Sequence, residues 1–547
     1  MNKKILILII VLILVGIGAL FILQKPAFPE QPLGRCGDGV CDAKEQNNPR
    51  LCPKDCKKPK PPINKNNQIN NQTVNKIQTN QTTEKFGDSP FGLMDPFTLR
   101  PELMDVIDHS SREDYRVKYM EWADGHVQNI GAKWSKVAAE HIIWGRIEPE
   151  LGKGYNWDNL DKALGDVFQS GEQNFIGVIV PAMPSRKQYD FADPSVQEQF
   201  KNFVKAIVER YDGDSDFDNA TSFPDSSIKI KYWQADNEVF RRNWIGLGGT
   251  TATYATFLKL LSEGAKEADP EAKIVFGSQI IVPKTIDKND YSNIGEVIAI
   301  LKDKKIFDFA DVHYWPMNKN QYKMPISDLR KILDDNGYEY VKFVSLEHAT
   351  IMNKNNQNPA WKNSSREQSE KDQATFLIKS YAYNLANGFS LILWSPFVDF
   401  SNYGGGKPCD DVFDYMGLIS DGKCINANDA GIPRLSYYTY KKMTEILEGS
   451  DWDNIQAIQE AGGIYIYKFT KGGKPIWVVW NDNSKSQTVI LNVGSIDSVK
   501  ITEAVPKYEL GKDVSDYSSV FNTETKSVSG GSVSITLGDK PVFVEEK

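Results

Sequence analysis

The chain has 547 residues, 40% hydrophobic and 25% charged, enough for a large core and, by length, roughly three to four structural units. Its net charge is −8 and its only basic run is Lys57–Lys60, which excludes nucleic acid as a partner, because phosphate binding needs clustered Lys and Arg. Five scattered histidines offer no ligand set for a metal-dependent hydrolase.

The first residues, MNKK, precede an apolar run from Ile5 to Leu23 that is long enough to cross a bilayer as a helix. No small-residue cleavage pattern follows it, so residues 1–24 read as a signal anchor; a cleaved export peptide is the alternative. Lys3 and Lys4 stay inside, which places the rest of the chain at the cell surface, held to the membrane. Residues 25–56 are a spacer and a module bearing Cys36, Cys41, Cys52 and Cys56. An even, clustered count behind an export signal suggests disulfides, with zinc as the rival. GRCGDGVCDAKEQNNPRLCPKDC at 34–56 resembles short CGDGVC…CPxDC modules of exported microbial proteins, a likeness that assigns no chemistry. Residues 57–85 are Asn, Gln, Lys and Thr with almost no core formers, and so form a flexible linker; Asn71 and Asn80 lie in glycosylation sequons there.

From residue 86 to about 450 the pattern alternates. Short apolar runs at 91–95, 137–144, 174–181, 228–236, 273–280, 308–314, 341–347 and 389–395 read as buried strands. Helical stripes lie between them, such as Phe200, Phe203, Val204, Ile207, Val208 and Tyr211, or Val117, Met120, Ala123, Val127 and Ile130. Eight such repeats predict an α/β fold, the (β/α)8 or TIM barrel. An open doubly wound sheet would carry a Gly-rich first turn, which is missing. YDGDSDFDNAT at 211–221 sets Asp212, Asp214 and Asp216 at alternate positions, a calcium-loop spacing without the central Gly and final Glu; a solvated acidic loop is the plainer reading. Cys409 and Cys424 flank a loop after the eighth strand and are expected to form a disulfide. Residues 451–547 switch to a period of two and read as an antiparallel β-sandwich.

Catalytic groups of such barrels sit at the C-terminal ends of the strands. The fourth run ends YWQADNEV, placing Asn237 and Glu238 at the mouth, and the seventh ends FVSLEHAT, placing Glu347 opposite. Two carboxylates facing each other across a mouth suit glycoside hydrolysis, one protonated to donate to the leaving oxygen, one ionised to attack the anomeric carbon.

On these residues the chain resembles the clan A retaining glycoside hydrolases, which carry Asn-Glu after strand four and Glu after strand seven. VAAEHIIWGRIEPELGKGYNWDNLDKAL at 137–164 is similar to the strand-two region of the family 39 and family 42 enzymes. DVHYW at 311–315 and ILWSPF at 392–397 are similar to their sixth and eighth strands. The resemblance spans residues 91 to 545. It implies a hydrolase that uses no cofactor and acts on an oligosaccharide, polysaccharide or simple glycoside. Glu238 would be the acid/base and Glu347 the nucleophile. Asn237 would bind the sugar 2-hydroxyl, and His313 would orient the site or contact the sugar. Tyr314 would hydrogen-bond the nucleophile, with Trp315 as an alternative platform; Trp394 would floor the sugar site, and Trp144 and Arg146 would shape the pocket. A non-catalytic glycan-binding barrel and a transglycosylase are the other readings.

Overall fold

The computed structural model describes residues 89–547, apart from 137–141, 169–173, 183–189, 214–228, 241–248, 282–287, 303–304, 354–366, 402–408 and 410. The expected anchor at 1–24, the cysteine module and the linker therefore lie outside the described residues. Among those described, no helix is long and apolar enough to cross a membrane.

Eight parallel strands close a barrel: β1 (Phe91–Met94), β2 (Trp134–Lys136), β3 (Asn174–Ile179), β4 (Tyr232–Ala235), β5 (Lys273–Ile281), β6 (Phe309–Tyr314), β7 (Lys342–His348) and β8 (Phe389–Trp394). Closure is direct, since Gly92 of β1 pairs both with Trp134 of β2 and with Leu393 of β8. Inward side chains Trp134, Ile176, Val275, Phe309, Val344, Leu346, Leu391 and Leu393 fill the interior. The mouth is thus a packed floor rather than a pore.

Two sequence expectations shift. Strand two pairs at Trp134–Lys136, upstream of the apolar run at 137–144, and Trp144 instead opens a short helix. In the first long helix, α1 (Arg112–Asn129), the buried face is Tyr115, Tyr119, Ala123 and Val127, while Val117 is exposed. Tyrosine served as the core residue where the aliphatic pattern had pointed to its neighbour. The helix at Pro194–Arg210 is as read: Asp193 accepts from the Ser195 N–H at its start, Pro194 takes the first turn, and Phe200, Phe203, Val204, Ile207 and Val208 are buried.

After the last barrel helix (Leu435–Leu447) the chain becomes antiparallel. Strands β9 (Gln456–Ala461), β10 (Ile464–Lys471), β11 (Lys474–Asn481), β13 (Ser498–Glu503), β14 (Thr523–Ser527) and β16 (Val542–Glu546) form one sheet in the order β14-β13-β16-β11-β10-β9. A second, two-stranded sheet pairs β12 (Gln487–Asn492) with β15 (Ser532–Leu537). Period-two alternation splits β10 and β11 between two cores. Ile464, Ile466, Trp477 and Val479 meet the second sheet, whereas Tyr467, Phe469, Val478 and Trp480 join the barrel's core. Polar contacts reinforce that seam: Asp482 accepts from Tyr322 Oη at 2.7 Å and from Lys379 Nζ at 2.8 Å.

Candidate active site

Strand β4 ends in an unusual backbone. Asp236 and Glu238 both adopt left-handed conformations, with φ of 63° and 51°. Such geometry costs about 1–3 kcal/mol per non-glycine residue and persists only where the surroundings hold it. Here the Asn237 N–H donates to Asp236 Oδ1 at 2.7 Å, and the Tyr254 hydroxyl holds the Ala235 carbonyl at 2.9 Å. Gly277 of β5 lies so close that a Cβ would meet the Ala235 oxygen at 2.3 Å. Only glycine allows this approach. The kinked strand end turns Asn237 and Glu238 together into the mouth, toward Glu347 of β7.

The structure brings the two glutamates together. Donor atoms of Glu238, His313 and Glu347 all lie within 4.8 Å of one another, and all three residues are buried. Glu347 Oε1 accepts from Lys136 Nζ at 3.0 Å and from Asn237 Nδ2 at 3.3 Å. Lys136 also donates to Asn237 Oδ1 at 2.9 Å, closing a three-membered ring. His313 Nδ1 stands 3.3 Å from both Glu238 Oε1 and Glu347 Oε2. Its other nitrogen, Nε2, donates to Asp311 Oδ2 at 3.0 Å. The Asp311 carboxylate is fixed in turn by Gln234 Nε2 at 3.1 Å and the Leu346 N–H at 2.9 Å.

Burial is the largest influence on Glu347 and opposes its charge, but His313 and Lys136 outweigh it and hold the carboxyl below its usual range. Burial likewise opposes a charge on His313, and the carboxylates of Glu347 and Asp311 override it, raising the imidazole to about 9. Lys136 is fully enclosed; desolvation lowers it, and Glu347, Asp311 and Asp95 more than restore its charge. Two cations thus face the nucleophile candidate. The Glu238–His313–Glu347 donor set is compact enough to share one metal ion. An ion there would require His313 to give up its proton and would sit against the Lys136 ammonium, so the present charges suit a proton-transfer site better than a cation site.

The other expected residues divide. Trp315 is near the group, its ring 5.6 Å from His313 and 5.5 Å from Phe413. Tyr314 faces the opposite way, stacked on His348 at 6.1 Å in the layer between strands and helices. Strand alternation requires this, because His313 already takes the inward position. Trp394 is fully buried, edge-on to Phe376, and donates its indole N–H to the Met416 carbonyl at 2.8 Å. It is a core residue rather than an open sugar floor. Trp144 is also fully buried, among Phe191, Phe200 and Phe203, with its N–H on Glu148 Oε2 at 2.6 Å, and Arg146 is exposed beside it. Neither joins the carboxylates. Asp212 is buried, while Asp214 and Asp216 lie outside the described residues. The expected Cys409–Cys424 disulfide is present.

The fold has solved counterparts. A glucosidase from Croceicoccus marinus matches with a TM-score of 0.50 at 12% identity, over 78% of this chain and 92% of that one. A family 51 alpha-L-arabinofuranosidase from Bifidobacterium longum matches with a TM-score of 0.53 at 9% identity, over 84% and 96%. The likeness is one of fold. No protein-family model and no curated protein sequence matches the chain.

Three residues of the site were missed from sequence. Asp311 shares the inward face of β6 with His313, two positions away, so alternation could have found it, whereas Gln234 is recognised only by its bond to Asp311. Lys136 carried a different signal: a lysine two residues after an inward Trp134 must be buried, and a buried charge needs a partner.

Proposed function

We propose that the chain is a retaining glycoside hydrolase of the clan A type, with Glu347 as nucleophile and Glu238 as acid/base. The observation that supports it most is the pairing itself: two glutamates at the ends of β4 and β7, with oxygens within 4.8 Å, both facing His313 and Glu347 also held by the Lys136 ammonium. Retaining enzymes hold their carboxyl groups about 5–5.5 Å apart, against about 6.5–9.5 Å for inverting ones. In this reading Glu347 attacks the anomeric carbon while Glu238 gives its proton to the departing oxygen. Glycosylation removes the charge on Glu347, and the His313 N–H is then left to Glu238, now a carboxylate. That carboxylate takes a proton from water as the water cleaves the glycosyl ester, restoring both groups. Asn237, held between Lys136 and Glu347, is placed to meet the sugar 2-hydroxyl. Residues 137–164 carry the family 39 and 42 likeness within this reading, and residues 1–24 would hold the barrel at an outer membrane face.

The test is stereochemical. Glu347→Ala should lose turnover of aryl β-glycosides by about 10⁵-fold or more, with azide giving an inverted glycosyl azide. Glu238→Ala should accumulate the glycosyl-enzyme, and azide should rescue it with retention. An inverted product from the unaltered enzyme would sink the mechanism. A protein that binds glycans and cleaves none would instead be the non-catalytic barrel.

A further inference from the structure

A cavity of about 420 Å³ lies outside the carboxylate site, with neither Glu238 nor Glu347 in its lining. It lies where the loop after β1, the helix α1 and the loop after β8 meet, and Leu103, Val106, Ile107, Asp108, Lys118 and Trp122 line it. Both loops leave the C-terminal ends of strands, on the face that carries Glu238 and Glu347. Its size falls within the roughly 300–1,000 Å³ of small-molecule sites.

The lining is specific in kind. Trp122 is braced by Tyr119 at 5.6 Å, His126 at 4.6 Å and Phe397 at 6.2 Å, and it lines the cavity. Its indole makes no hydrogen bond among the described residues, so the N–H remains available. Leu103, Ile107 and Val106 extend the apolar wall, and Val106 is 51% exposed at the rim. Asp108 and Lys118 are the polar groups, one of each sign, with Lys118 also reaching Glu121 at 3.1 Å. A rim of balanced charge does not select an ion. A flat aromatic ring, an aliphatic wall, an acceptor and a donor match a sugar unit, whose apolar C–H face needs the ring and whose hydroxyls need the rim.

We propose that this cavity is a second saccharide-binding site, where Trp122 takes the apolar face of one unit of an oligo- or polysaccharide and Asp108 and Lys118 hold its hydroxyls. The assignment rests on the glycosidase reading for its ligand class, and it narrows that class to substrates long enough to engage two sites on one molecule. Two-point attachment raises the effective concentration of substrate at the mouth, so its loss affects long substrates and spares short ones.

The full-length protein would be run in affinity gels containing xylan, glucomannan or mixed-linkage β-glucan, and assayed with β-1,4-linked hexasaccharides and aryl β-glycosides. Trp122→Ala removes the platform. Val106→Trp fills the cavity from an exposed position and leaves the packed core alone. Both should weaken retardation by at least one polysaccharide and raise KM for its hexasaccharide about tenfold, with KM and kcat for the aryl glycoside unchanged. Equal retardation of both folded variants and the parent overturns the proposal, as does a parent that no polysaccharide retards. Trp122-dependent retardation in a protein that cleaves nothing would support the site and reject the catalytic reading. Normal cleavage with retardation indifferent to both substitutions would do the reverse.

Discussion

Two buried carboxylates in this protein stand beside cations, and their pKa values shift in opposite directions. Asp399, in the loop after β8, is paired bidentately with Arg434, its Oδ1 2.9 Å from Nη1, and also accepts from the Gly417 N–H at 2.8 Å. Desolvation still dominates there; Arg434 offsets part of it, the nearby Asp421 adds to it, and the carboxyl is pushed up to about 7. Glu347 is as deeply buried, but Lys136 and His313 both face it, and it is held below its usual range. One cation at ideal geometry does not outweigh burial plus a second carboxylate, whereas two cations at 3.0–3.3 Å do. The first arrangement braces a loop. The second keeps a nucleophile ionised in a dry site.

That difference is breakable at Lys136, where the largest effect is expected. Lys136→Met leaves Glu347 with His313 alone and releases Asn237, and kcat/KM should fall about 10²–10³-fold. The acidic limb tells more than the size of the loss. Activity is lost as pH falls through the nucleophile's pKa, so removing a cation should move that limb to higher pH, and Lys136→Arg should move it back. A rate loss with an unmoved limb would make Lys136 a packing residue only. Arg434→Met is the counterpart: it should lower folding stability by about 3–5 kcal/mol, read from chemical denaturation, and leave the pH profile in place.

What the sequence disclosed follows the same physics. The barrel was legible because apolar runs recur with helical stripes between them, seven of the eight lying on barrel strands, and the two glutamates stood out because strand ends in a barrel converge. Lys136 was hidden because VAAEHIIW is a better strand by composition than WSK, and composition does not report which segment closes the ring. Trp394, expected to floor the sugar site, and Trp144, expected to shape the pocket, lie in the core for a related reason. Strand-end aromatics read alike whether they face the mouth or the helices, and only the packing of Phe376 on Trp394, or of Phe203 on Trp144, separates the cases.

The charge on His313 gives a smaller, thermodynamic test. Its imidazole titrates at about 9 in the folded protein against 6.5 for the free group. A raised folded value adds stability that is fully present below pH 6.5 and is lost as pH rises through about 9, on the order of 3 kcal/mol in all. Unfolding free energies at pH 6 and pH 9.5 should therefore differ more in the parent than in His313→Gln. Equal slopes would mean that the imidazole is neutral and that Lys136 alone ionises Glu347.

The smallest expected effect discriminates most sharply between this chain and its resemblance. A tyrosine on the sixth strand that hydrogen-bonds the nucleophile would be costly to lose, because a contact made to the attacking oxygen is a contact to the transition state. Here His313 Nδ1 hydrogen-bonds Glu238 and stands at ion-pair distance, 3.3 Å, from Glu347 Oε2, and Tyr314 lies on the other face of β6 against His348. Burial raises the Tyr314 phenol, and its ring belongs to the core between strands and helices. Tyr314→Phe keeps that ring and removes one hydroxyl from an apolar layer, a change worth about 0.5–1.5 kcal/mol at most in stability. Its kcat/KM should stay within about twofold of the parent, since no transition-state contact is removed. A loss of about 100-fold would show that Tyr314 reaches the nucleophile during turnover, by a rotation of the strand end that the αL backbone at Asp236 and Glu238 gives no reason to expect on the facing strand.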